Sequence, residues 1–166
     1  MDIPSALEDL TSIDHRATAL LRREHEVILG AFRQFHDAPR GAHDPRDAIV
    51  QRIGVVLEFH ERVERAIVYP ALAPYYGPLV RALTVEHDQI AACIAMLREG
   101  HVDTNEALEN LDRLERLTRD HIALEETSLL TPVERDQPGL NARLYASMVA
   151  EKERLAGTVK DLESRS

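Results

Sequence analysis

Only two of the twenty basic residues in this 166-residue chain are lysine, Lys152 and Lys160, and twenty-nine acidic residues outnumber the whole basic set. The formal charge of −9 argues against a footprint on nucleic acid or on an anionic membrane, since both require a net positive face, and neither is expected as a partner. Cysteine is reduced to Cys93, so no internal disulfide can form, and no N-terminal basic stretch leads into an apolar run; a cytoplasmic location is the expectation. Charges interrupt every apolar run before it reaches about eighteen residues, so no membrane span is expected. Strand patterning is missing too, because β-branched and aromatic residues nowhere alternate with polar ones over a useful length. The seven glycines and eight prolines fall between long stretches in which apolar residues recur every three or four positions. That pattern is all-α. The length suits one domain, residues 1–166, and argues against separate cofactor and substrate domains.

The periodicity predicts a first helix from about Asp14 to His36, with Leu21, Ile28, Phe32 and Phe35 on one stripe and Thr11 and Asp14 at capping-box spacing ahead of it. A second helix starts at Asp44 and Pro45 and ends at Pro70, and Ala71 to Pro78 reads as a loop containing Pro74 and Gly77. The third runs to about Glu99, closed by Gly100, and the fourth from Asp103 or Thr104 to just before Pro132. A fifth, shorter and more charged helix follows at about 139–162, its stripe reaching Val159 and Leu162. Four long helices with short connections predict an up-down-up-down four-helix bundle. The additional C-terminal helix is left to cover one end or side of the monomer, or to build a homodimer.

Eight histidines in so short a chain need a reason, and four of them interrupt the apolar stripes, one per long helix: His25, His60, His87 and His121. Glu64 follows His60 by four residues and Glu125 follows His121 by four, which puts each glutamate on its histidine's face. Neither stripe supplies a lysine or arginine. Unpaired buried carboxylates are costly or take up protons, so two of them facing one core imply a cation between them. On the fourth helix Glu126 adjoins Glu125, and a roll of one residue would exchange their places. The spacing also repeats. Arg23-Glu24-His25-Glu26-Val27-Ile28 is echoed 62 residues on by Val85-Glu86-His87-Asp88-Gln89-Ile90, and His60 with Glu64 before Pro70 is echoed 61 residues on by His121 with Glu125 before Pro132. A duplicated helical hairpin of this kind offers two equivalent half-sites, and two metals are their natural content.

Taken as a set, His25, then His60-Glu61-Arg62-Val63-Glu64 leading to Tyr69-Pro70, then Glu86-His87-Asp88, then His121-Ile122-Ala123-Leu124-Glu125-Glu126 leading to Pro132, resembles the hemerythrin-like (HHE) cation-binding domain over about residues 14–135. The resemblance implies two Fe ions joined by bridging carboxylates and a bridging oxygen, oxo or hydroxo. It implies His25, His60, Glu64, His87, His121 and Glu125 as metal ligands, with Glu61 and Glu126 as further candidates. Members of the family bind dioxygen, sense it or nitric oxide, handle hydrogen peroxide, or carry iron. Ferritin-like bundles use the opposite arrangement, Glu-x-x-His pairs and lone glutamates.

One departure stands out. Oxygen carriers of the family have a fifth histidine one turn from the lone histidine of the third helix, where this chain has Leu83 and Ala91. His15, His36, His43 and His101 read as surface residues, the last two in loops. About ten of about twelve coordination positions are then filled. The rest are open to water, to substrate, or to a further ligand such as Glu61, Glu126 or a tyrosine. Tyr69, nine residues beyond His60, points to roughly the opposite face. Two open positions favour a catalase-like breakdown of peroxide over reversible carriage. Oxygen or nitric oxide binding and sensing, and iron storage or sensing without turnover, are the alternatives. No general acid or base stands out beyond the ligands, and Cys93 reads as a small core residue.

Overall fold

The computed structural model describes residues 14–39, 43–98 and 104–163. Among the described residues the regular structure is helical throughout: α1 (Ala17–Asp37), α2 (His43–Val63), α3 (Tyr69–Arg98), α4 (Asn105–Glu125), a short α5 (Thr131–Asp136) and α6 (Pro138–Glu163). Helix α1 packs on α2, α2 on α3, α3 on α4 and α4 on α1, which closes the expected four-helix bundle. Helix α6 lies against α1, α2 and α5. With 26 residues it is longer than the 21-residue α1, contrary to the expected shorter element. Resting on one side of a finished bundle, it needs only the narrow stripe of Leu144, Met148 and Leu155 to be buried. The side chains of Val159 and Leu162 lie outside the described residues, as do Thr11, Glu99, Gly100, His101 and Asp103.

Helix α1 begins at Ala17 rather than near Asp14, whose carboxylate is bonded by Arg16 at 2.6 and 2.8 Å. Arg16 at the N-cap position offers no side-chain acceptor. Asn141 of α6 supplies one from across the fold: its Oδ1 accepts the Thr18 backbone N–H at 3.0 Å and its Nδ2 donates to Thr18 Oγ1 at 3.0 Å. Helix α2 opens at His43, so His43 is helical rather than in a loop, and Pro45 falls in the first turn, where its missing N–H is harmless. Thr104 caps α4 by accepting the Ala107 N–H at 3.1 Å.

Two prolines that read as helix stops do not stop the chain. Between α2 and α3 the backbone winds as a π-helical turn, Glu64–Val68, closed by the Tyr69 N–H on the Glu64 carbonyl; between α4 and α5 it does so again at Glu126–Leu130, closed by the Thr131 N–H on the Glu126 carbonyl. Pro70 and Pro132 follow two residues after these turns. Proline lacks a donor and its ring clashes with the carbonyl four residues back. A turn of i→i+5 bonds takes that carbonyl out of line, so the helix passes through. The segment Ala71 to Pro78, expected as a loop, is likewise part of α3. The break is confined to Tyr76 (φ −128°, ψ 29°), after which Pro78 stands in the first turn of a renewed helix.

The buried apolar side chains form two separate clusters. One gathers Leu20, Leu21, Val63, Val68, Leu72, Leu83, Leu129, Leu130 and Met148 near α6. The other gathers Ile28, Phe32, Phe35, Ile53, Leu57, Ile90, Ile94, Leu111 and Leu114 towards the opposite end. At about 1.5–3 kcal/mol for each fully buried large side chain, these clusters dominate the stability of the bundle. The histidines of the apolar stripes lie between them: His25 comes between Leu21 and Ile28, and His87 between Leu83 and Ile90.

Candidate metal centre

Each long helix delivers one histidine to the layer between the clusters: His25 from α1, His60 from α2, His87 from α3 and His121 from α4, none more than 4% exposed. Glu64 opens the first π turn and Glu125 is the last residue of α4, both completely buried. The structure brings these six together in two overlapping groups, His25, His60, Glu64 and Glu125 in one and Glu64, His87 and His121 in the other, with ligand atoms inside each group no more than 4.8 Å apart. Glu64 is shared. The separations are 3.2 Å from His25 Nε2 to Glu125 Oε2, 3.4 Å from His60 Nε2 to Glu64 Oε2 and 3.1 Å from His87 Nε2 to Glu64 Oε2. The two Nε2 atoms of His87 and His121 are 3.0 Å apart.

The ring nitrogens facing away from this centre meet carboxylates. His25 Nδ1 lies 2.8 Å from Glu126 Oε1, His60 Nδ1 2.9 Å from Glu24 Oε2, and His121 Nδ1 2.9 Å from Glu86 Oε2. Such outer partners fix the tautomer, so that Nε2 presents its lone pair inward. Lys152 of α6 bonds the second oxygen of Glu24. Burial alone would raise the Glu24 carboxyl, but its bonds to His60 and Lys152 hold it below the usual range.

Without a cation the centre is electrostatically uneasy. Burial and the neighbouring Glu125 charge push the Glu64 carboxyl well above its ordinary value. Burial acts on Glu125 in the same sense, but the close approach of His25 and the charges of His25 and His121 carry it the other way. Burial, helped by repulsion from His121 and His60, takes His87 down to about 2, whereas for His25 burial is outweighed by Glu125 and Glu126, which raise it. Five atoms aimed at the centre, His25 Nε2, His60 Nε2, both oxygens of Glu64 and Glu125 Oε2, are buried without a hydrogen-bond partner. Orphaned polar atoms in such density are rare in a folded core. Imidazole nitrogens and carboxylate oxygens are a fitting donor set for a first-row transition metal.

A crevice with room for about one water reaches this layer from the side of the second cluster. Ile28, Leu57, Ile90 and Ile122 give it an apolar wall, and His60, His87 and His121 face it. Glu61 Oε1 and Thr118 Oγ1 lie in the same crevice, both buried and without a partner. Burial pushes the Glu61 carboxyl up to about 7. Glu61 stands outside both ligand groups, and Glu126 sits behind His25 rather than in the centre.

The chain matches the family model of the hemerythrin HHE cation binding domain over residues 16–133. It belongs to that family. The solved structure of a hemerythrin HHE cation binding domain-containing protein from Mycobacterium kansasii superposes with a TM-score of 0.75 at 23% identity, covering 86% of this chain and 88% of that one, and so shares its fold. No curated protein matches the chain. No helix among the described residues is long and apolar enough to cross a membrane.

In this HHE domain Tyr69 does not point away from the centre, as simple helical phase implies. It is 3% exposed, its hydroxyl donates to Glu125 Oε1 at 3.1 Å and lies 3.4 Å from His87 Nε2, and its ring stacks on His87. Nine residues of α-helix separate it from His60 by half a turn, but the π turn between them inserts an extra residue and brings the offset down to about 80°. The two positions one turn from His87 also separate. Ala91 is exposed to solvent, while Leu83 is fully buried in the cluster that holds Tyr69. Of the surface histidines, His36 is exposed and pairs with Glu115 at 2.6 Å, and exposed His15 stacks on Tyr145. Cys93 is buried, and burial raises its thiol.

Proposed function

We propose that this HHE domain holds two irons and breaks down hydrogen peroxide. The five buried polar atoms without partners carry the reading, because carboxylate oxygens and imidazole nitrogens left unpaired together in a core are stabilised by cations and by little else. His25, His60, Glu64 and Glu125 would hold one iron, and Glu64, His87 and His121 the other. Bound there, the pair supplies one-electron chemistry at each iron, enough for the disproportionation of hydrogen peroxide to water and dioxygen. Glu24, Glu86 and Glu126 hold the imidazole rings of His60, His121 and His25 in one orientation. Tyr69 holds Glu125 from the side of the first cluster.

On the other side the crevice sets what can approach. Its isoleucine and leucine wall admits only a small molecule, and Glu61 Oε1 and Thr118 Oγ1 require hydrogen-bond partners. Hydrogen peroxide both donates and accepts, whereas dioxygen has no proton to give; that favours peroxide over oxygen carriage. The test is iron analysis of the loaded protein with an oxygen electrode. Two irons per chain and oxygen evolution from peroxide above that of equimolar free iron are expected. One iron or none at saturation overturns the two-iron reading. Two irons without oxygen evolution overturn the peroxide reading and leave binding, sensing or storage.

A further inference from the structure

The duplication that builds the two half-sites is not kept in the residues behind them. Glu24 precedes His25 and faces His60; Glu86 precedes His87 and faces His121, in the same relation. The third contact has no counterpart. Glu126, next in sequence to Glu125, backs His25 Nδ1 at 2.8 Å, but the residue next to Glu64 is Arg65. A guanidinium has no acceptor to offer an imidazole N–H. Arg65 turns instead to the Thr84 carbonyl at 3.3 Å and to Asp88 Oδ1 at 2.7 Å. His87 Nδ1 is left buried with no partner.

From this mismatch we infer that the two cation positions are unequal by construction: the one formed by His25, His60, Glu64 and Glu125 fills first, and the one formed by Glu64, His87 and His121 fills second and empties first. The inference rests on the two-cation reading above. Four donors meet in the first group and three in the second. A carboxylate behind an imidazole raises the basicity of the coordinating nitrogen and fixes the ring, and losing such a partner costs about 10–100-fold in metal affinity. Lys152 shares Glu24 with His60, so Glu24 backs its histidine no more strongly than Glu86 does, and the imbalance behind the rings, added to that in donor number, comes down to Glu126 against Arg65. The weaker position is the one beside Tyr69, whose ring stacks on the unsupported His87.

The experiment is calorimetric titration of the metal-free protein with zinc alone, checked by competition with a chromophoric chelator. Two zinc ions per chain are expected, in steps differing at least about tenfold in affinity. Arg65→Glu made together with Asp88→Asn places a carboxylate where the other half has Glu126, and should tighten the weaker step by about tenfold or more. Asp88→Asn alone should leave both steps as they are. Glu126→Ala should weaken the stronger step and draw the two together. A gain in affinity is something a merely structural substitution does not produce. Two zinc ions binding with one affinity, or a weaker step unmoved by Arg65→Glu with Asp88→Asn, would overturn the inference while sparing the two-cation reading; fewer than two zinc ions at saturation would overturn both.

Discussion

Replacing Glu61 with glutamine should flatten the pH dependence of the metal-free protein's stability. Glu61 is buried in the crevice beside His60, and burial lifts its carboxyl from an ordinary value near 4.5 to about 7, although Arg65 pulls it partly back. A carboxyl raised in the folded state contributes stability that is fully present below the unfolded pKa and is lost as pH rises through the folded one. Between pH 5 and pH 8 that loss comes to about 2.5 kcal/mol, at about 1.4 kcal/mol for each tenfold difference in proton affinity between the folded and unfolded chain. Glu64 is raised as well, so the wild-type slope should be steeper still and the variant should keep Glu64's share of it. Urea unfolding of chelator-treated wild type and Glu61→Gln at pH 5, 6, 7 and 8 measures the difference directly. The variant should lose about 2.5 kcal/mol less than wild type across that range. Parallel curves would refute a Glu61 carboxyl that is desolvated and neutral at low pH. With cations bound the same variant should retain its full metal content, because Glu61 lies outside both ligand groups.

Chelation should lower the melting temperature markedly and more at pH 8 than at pH 5, since acid relieves Glu64; equal melting of metal-free and loaded protein would argue against cations in this layer. Tyr69→Phe deprives Glu125 Oε1 of a donor and should destabilise the metal-free protein by about 1–3 kcal/mol in urea, and an unchanged midpoint would put the phenol outside the site. Ala91→His, on an exposed face, should leave metal content and spectrum unaltered, whereas Leu83→His puts an imidazole into the cluster beside Tyr69 and should change the spectrum of the iron-loaded protein; the reverse result would mean that α3 is out of phase. Asn141→Ala strands the Thr18 N–H and hydroxyl in a buried contact, and a loss of about 2 kcal/mol is expected, with no loss counting against the cap supplied by α6.

The bundle and the inward histidines are legible in the sequence because an α-helical stripe is periodic and an imidazole inside one is conspicuous. What lies beyond the sequence are the local departures from period. Pro70 and Pro132 read as stops because proline breaks an α-helix, and nothing in the spelling says that a widened turn will carry the chain past them. The position of Tyr69 escapes for the same reason, since a phase counted at 3.6 residues in every turn takes no account of the π turn before it. Ala91 is a smaller case of the same kind: Ile90, not Ala91, faces inward one turn after His87. Glu24 and Glu86 do leave a signal, each standing immediately before a histidine in both halves of the repeat. Their targets, His60 and His121, lie on neighbouring helices, so only the packing reveals the pairing. The burial of Lys152 has no such marker beyond its rarity as a lysine in an arginine-rich chain.

The division of the apolar interior into two clusters has a consequence for how the molecule comes apart. Among the described residues no buried side chain belongs to both clusters, and the plane where they would meet is the layer of histidines and glutamates. Polar contacts rather than a shared apolar cluster join the helices at that plane, so in the metal-free chain the waist of the bundle should be its softest section, and each cluster should open on its own. All four long helices cross the waist, and cations held by the two ligand groups would tie the crossing points to one another. Amide exchange in the metal-free protein would then sort into two zones with separate opening free energies, one around Leu83 and Leu129 and one around Phe32 and Leu114, whereas loaded protein would open as a single unit.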